Sequence, residues 1–189
     1  IGNFRFIDSC KFLNASLEAL VENLQRSGKD KFCFTRESFN GSDSVFRKEV
    51  YPYEYMNKIE RFFETELPPR SAFYSKLNDR ELSEADYAVA QEAWKEFGCT
   101  TLKNYHDHYL KLDVTLLADV FENFREKAIG AYELDPTHYW TLPGYSWDAC
   151  LKYTGVKLEL LTDPDMYLFL ESGIRRGVSM ITHRHAVAN

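Results

Sequence analysis

The sequence predicts an α/β fold dominated by helices, and three features predict it. The aromatic alternation of "FRFID" (residues 4–8) has the two-residue period of a strand. Several longer runs place apolar residues at the 3.6-residue period of amphipathic helices. The last stretch, "GVSMITHRHAVAN", reads as the start of another strand. Strands are few beside so many helices, as expected of a domain whose first strands precede Ile1.

After the strand at residues 4–8, Asn14, Ala15 and Ser16 form a cap region for a helix with Leu17, Leu20, Val21 and Leu24 on one face. Residues 26–57 read as loop: "RSGKDKF", "NGSDS" and "KEVYPYEYM", where Pro52 argues against a central strand. "ELPPRSAFYSKL" is a second punctuated loop. Ser83 opens a helix with Tyr87, Ala90, Ala93, Trp94 and Phe97 inward, and Gly98 suits its C-terminus. A long helix runs from about Asn104 to about Ala131. A Pro- and Gly-interrupted connector then leads to a short helix around Ser146 to Tyr153, and "DPDMYLFLESGIRRG" reads as a helix ending at Gly173.

The 189 residues are 44% hydrophobic and 15% aromatic, enough to bury a core. A net charge of -6 argues against coating nucleic acid by bulk electrostatics. It leaves room for an enzyme that reaches nucleic acid through a metal held by carboxylates. No apolar run suits a bilayer and no signal peptide opens the chain, so no membrane is expected. The 4 cysteines, Cys10, Cys33, Cys99 and Cys150, are far apart and form no CxxC pair. That pattern fits buried thiols in an intracellular, reducing setting rather than a zinc module. A start at Ile1 and an end at Asn189 without a helix stop read as a fragment of something longer.

The run "YLKLDVTLLADVFENF" carries the chemistry. At about 100° per residue, Leu110, Leu116, Leu117, Val120 and Phe124 share a face, and Asp113 falls in the middle of it. A carboxylate there needs a partner. Three are open: a cation such as Lys127 or a remote side chain, a neighbouring segment to cap, or a divalent metal. Tyr109, one turn earlier, points its phenol toward the same cleft. Tyr-x-x-x-Asp suits metal-assisted phosphodiester hydrolysis, in which the acid holds the metal and the phenol orients the attacking water. His106 shares the face of Asp113, but His106 and His108 are two residues apart and do not form a metal fork; both read as surface or packing residues.

"YHDHYLKLDVTLLADVFENFR" resembles the third exonuclease motif of family B DNA polymerases, most of all the protein-primed branch of phages, organellar plasmids and Polinton/Maverick transposons. Further blocks resemble that branch in the expected order: "FIDSCKFLNASLEALVENL", "RKEVYPYEYM", "LPPRSAFYSKLND", "LDPTHYWTLPGYSWDACLKYTGVKLELLTDPDM" and "ESGIRRGVS". The resemblance implies the later part of a ribonuclease H-like 3'-5' exonuclease domain at residues 1–134. A connector and the start of a polymerase domain would follow at residues 135–189.

By that resemblance Asp113 is a metal-binding carboxylate and Tyr109 the water-positioning phenol. Lys48 helps hold the scissile phosphate, Tyr53 stacks on the single-stranded 3' end, with Tyr51 or Tyr55 as alternatives for that role, and Ser9 contacts the primer strand, although Cys10 stands where leucine is usual. Arg175, Arg176 and Gly177 fall in a motif that holds template DNA. There Ile174 replaces a common tyrosine, and Arg176 replaces a glycine that would admit phosphate close to the backbone. The implied cofactor is Mg2+ or Mn2+ in a two-metal site completed by residues outside this sequence. The first two exonuclease motifs are expected before Ile1 and the nucleotidyl-transfer carboxylates after Asn189.

The expected function is therefore a part of a DNA-directed DNA polymerase with a 3'-5' proofreading exonuclease, inactive as an isolated piece. Its partners would be primer and template DNA, dNTPs and a terminal protein primer, in a nuclear or virus-associated setting. The alternatives are a stand-alone exonuclease, against which "GIRRGVS" argues, and a transposon-derived remnant that binds nucleic acid or protein without catalysis.

Overall fold

The computed structural model describes residues 5–41 and 45–174. Among the described residues there are six α-helices: α1 (Leu17–Ser27), α2 (Cys33–Ser38), α3 (Glu84–Glu96), α4 (Leu102–Tyr132), α5 (Leu142–Thr154) and α6 (Pro164–Gly173). Short 3-10 turns and loops join them. Among the described residues there is no sheet, only an isolated antiparallel bridge between Ser75 and Arg80. This corrects the α/β expectation: a ribonuclease H-like fold is organised on a central sheet, and these residues are organised on a helix.

The physical reason lies in residues 5–8. A strand exists only where a neighbour takes its backbone N–H and C=O groups. Here the tie is made by a side chain instead. Arg5 donates to the His138 and Thr137 carbonyls and covers the Trp140 ring at 4.2 Å. The aromatic alternation that suggested a buried strand face leaves Phe6 in solvent. The second expected strand lies outside the described residues.

The caps explain the helix bounds. Ser16 accepts from the Ala19 amide and Ser83 from the Asp86 amide, each satisfying a free N–H of a first turn. Thr101 and Asn104 form a reciprocal capping box that starts α4. Gly98, at φ +60°, takes the left-handed conformation that ends α3. Pro164 stands in the first turn of α6, whose cap is Asp163.

The chain divides into one compact unit through Cys150 and a second from Leu151 onward. Within the first, α4 is the spine. Its 31 residues span about 45 Å at 1.5 Å per residue. Leu112, Leu116 and Val120 pack with Val21, Leu24, Phe32, Val45 and Phe46. Tyr105 packs with Phe73, Ala90, Ala93 and Cys99. Ala128 meets Tyr145 and Ala149 of α5. Arg125 of α4 holds Asp135 through three hydrogen bonds of 2.6 to 3.0 Å, which ties the connector to the helix end.

The buried stripe of α4 is rotated from the one expected. Leu116 and Val120 are buried, but Leu110 is 52% exposed and Leu117 37% exposed. Tyr105, His108, Tyr109, Leu112 and Asp119 complete the inward face instead. Asp113 therefore stands at the edge of the core, not in the middle of it. No helix among the described residues is long and apolar enough to cross a membrane.

Candidate functional site

The segment at residues 48–53 runs without regular structure, so nothing in a backbone ladder fixes its place. Side chains do so instead. Val45 and Phe46 anchor its start in the first core cluster. Both oxygens of Glu49 then approach His108 Nε2, at 3.1 and 3.0 Å. The Val50 carbonyl accepts from the Tyr105 hydroxyl at 2.6 Å. The Tyr51 hydroxyl lies 2.7 Å from His106 Nδ1, and the Tyr53 hydroxyl 2.7 Å from the Tyr109 hydroxyl. Lys48 Nζ lies 3.8 Å from Asp113 Oδ2. Five successive contacts thus lace an irregular strip to two turns of α4.

Lys48, Tyr53, Tyr109 and Asp113 come together through that lacing. Tyr109 is buried and its ring stacks on Tyr51, with centroids 4.8 Å apart and planes at 24°. Tyr53 meets it edge-on, at 6.2 Å and 85°. Burial pushes the Tyr109 phenol far above its ordinary value, helped by the hydrogen bond to Tyr53 and the Asp113 carboxylate beside it. Burial, then the neighbouring Tyr53, raises Tyr51 to about 12. Both phenols keep their protons at neutral pH and act as hydroxyl groups.

The two oxygens of Asp113 differ. Oδ2 faces the Lys48 ammonium at an ion-pair distance too long for a hydrogen bond. Oδ1 is sealed from solvent and has no partner at hydrogen-bond distance among the described residues, although the Tyr109 hydroxyl interacts with the carboxylate. An acceptor left this way is costly, and a hard divalent cation is the partner an anionic oxygen takes best. The donor type fits Mg2+ or Mn2+, while the donor number falls short. Among the described residues no group of three or more His, Cys, Asp or Glu side chains converges, so Asp113 would supply a single ligand.

The other expected site residues lie elsewhere. Ser9 opens a 3-10 turn and, with Ile7, Val114, Leu117, Ala118 and Phe121, lines an apolar groove of about 300 Å³ along α4. Arg175, Arg176 and Gly177 lie outside the described residues. Neither histidine joins a metal cluster: His106 meets Tyr51 and the edge of Phe62, while His108 is buried with Phe97 stacked 3.9 Å away.

Two residues of this region were missed by sequence reasoning: Glu49 and the deeper acid Asp119. Asp119 is 1% exposed, and its two oxygens accept from the Phe34 and Thr35 amides, each at 2.9 Å. It caps α2 from a distance, a need created because Phe32, the residue before α2, has no side chain able to cap. Its spacing from Leu112 and Leu116, seven and three residues, was the available signal.

The chain matches no protein-family model, no curated protein and no solved structure.

Proposed function

We propose that this chain is a part of a DNA-directed DNA polymerase and carries one side of its 3'-5' proofreading site. In this reading Lys48, Tyr53, Tyr109 and Asp113 receive the 3' end of single-stranded DNA. The observation that supports it is the meeting of these four side chains, which come from segments 56 or more residues apart. They are the residues to which the resemblance gives a single reaction.

Each can do the work assigned to it. Lys48 offers a point charge to a phosphate. Tyr53, 63% exposed, presents a ring on which any base can stack. Tyr109 keeps its proton and offers a hydroxyl to a water molecule. Asp113 would hold Mg2+ or Mn2+, which when bound lowers the pKa of a water and offsets phosphate charge. Further ligands, the nucleotidyl-transfer carboxylates, dNTP binding and any terminal protein primer belong to residues other than these, so the chain alone is expected to bind and not to cleave.

A second reading, a non-catalytic module that binds nucleic acid, draws on the solitary carboxylate already facing Lys48. Metal dependence separates the two. Fluorescence anisotropy with 5'-labelled oligo(dT) should show binding by the chain that Mg2+ strengthens and that Lys48→Ala and Tyr53→Ala each weaken. Binding indifferent to Mg2+ but weakened by both substitutions favours the second reading. Absence of binding, or binding that neither substitution alters, overturns both.

A further inference from the structure

Stacking fixes the plane of one ring against another but lets the two slide. The Tyr109 ring makes such a contact with Tyr51, so the place of Tyr51 bears on where the Tyr109 ring sits. Tyr51 in turn is tethered at its far end, where its hydroxyl lies 2.7 Å from His106 Nδ1. His106 stands one turn before Tyr109 on the same helix, and the Phe62 ring packs edge-on against it at 5.0 Å and 67°. Tyr51 thus bridges two points of one rigid element. We propose that His106, acting through Tyr51, is a positioning residue that sets where the Tyr109 hydroxyl lies in the site.

The consequence extends to Tyr53. The Tyr53 amide donates to the Tyr51 carbonyl at 3.0 Å, and its hydroxyl returns to that of Tyr109. Holding Tyr51 therefore holds both phenols that face the 3' end. This role rests on reading the cluster as a 3'-end site, but the geometric part is measurable without DNA.

The test is NMR of the full chain labelled at the tyrosine 13Cζ, with the Tyr109 signal assigned by Tyr109→Phe. His106→Leu removes the tether. Tyr51→Phe removes it while keeping the stacked ring, and so serves if His106→Leu fails to fold. His106→Asn restores a polar atom near the place of Nδ1. The expected result is a displaced or split Tyr109 signal in His106→Leu and Tyr51→Phe, returned toward its original position by His106→Asn. Oligo(dT) affinity should fall about five-fold in the first two variants, the share of one neutral hydrogen bond. An unchanged Tyr109 signal in both overturns the proposal. Failure of the unaltered chain to bind oligo(dT) overturns the functional reading alone, and the Tyr109 signal still decides the positioning role.

Discussion

Glu49 and His108 form a buried pair, 3% and 8% exposed, with the carboxylate 3.0 and 3.1 Å from Nε2. Each is the chain neighbour of a site residue, Lys48 or Tyr109, so the pair sets the register on which those residues meet. Phe39 and Phe97 close over the imidazole. Removing one partner strands the other away from water. Glu49→Ala or His108→Ala should each cost about 3–5 kcal/mol, the range for breaking buried pairs. Replacing both with Leu should cost less than either single change, because an apolar pair leaves no uncompensated group. Urea unfolding of the four proteins decides it, and single-variant losses under about 1 kcal/mol would show that the pair fixes nothing.

Asp119 is predicted to be the costliest acid of α4 to remove. Asp119→Ala would leave the Thr35 amide buried and the Phe34 amide part-buried without acceptors, a loss of about 1–3 kcal/mol. Asp119→Asn keeps one good acceptor and should lose about half of that. Hydrogen exchange localises the effect: the two amides should exchange faster in Asp119→Ala while those of α3 stay protected. Uniform loss of protection along the whole chain would place the role of Asp119 elsewhere.

How far these features could be read from residues alone differs between local and distant structure. Ser16, Ser83 and Gly98 act within a few residues of where they stand, and the starts of α1 and α3 and the end of α3 followed from them. Residues 26–57 read as loop, yet α2 forms inside them because Asp119, more than 80 residues away, supplies its cap. The strand at "FRFID" failed for the matching reason: its pattern is local, but the partner that makes a strand is not. Asp113 was recognisable as an acid needing a partner, but its pairing with Lys48 was not foreseen: periodicity offered Lys127, and the resemblance gave Lys48 only as a phosphate contact. Glu49 gave no signal, and His106 read only as a surface or packing residue, because their value lies in pairwise contacts between an irregular segment and a helix.

The tyrosines of the site give an alkaline prediction. A phenol whose value is raised on folding stabilises the fold fully below its unfolded value near 10 and loses that contribution as pH climbs through the folded value. For Tyr51 the loss runs from about 10 to about 12. For Tyr109 it extends higher. Phenolate absorbance of the 12 tyrosines should therefore rise in stages, with a late group that shrinks in Tyr51→Phe and Tyr109→Phe. All 12 ionising together near 10 in a chain that circular dichroism shows still folded would contradict the burial on which the site depends.

Asp113 and Lys48 should respond in opposite directions to single-stranded DNA, and metal should reverse the sign for Asp113. Without divalent cations the carboxylate repels an incoming phosphate, at about 1 kcal/mol or more for charges ~4 Å apart near a surface. Asp113→Asn removes that repulsion, so in EDTA it should bind oligo(dT) about five-fold more tightly than the unaltered chain. In Mg2+ the advantage should turn into a deficit, because only the carboxylate recruits a cation to bridge to phosphate. Lys48→Ala should weaken binding in both conditions and lower the dependence of log K on log salt by about 0.7, one phosphate contact on a single strand. Titrations at several salt concentrations, with and without Mg2+, separate the two residues. An Asp113→Asn affinity that keeps the same ratio to the unaltered chain in EDTA and in Mg2+ would remove the metal from Asp113 and leave its pairing with Lys48 as its whole role.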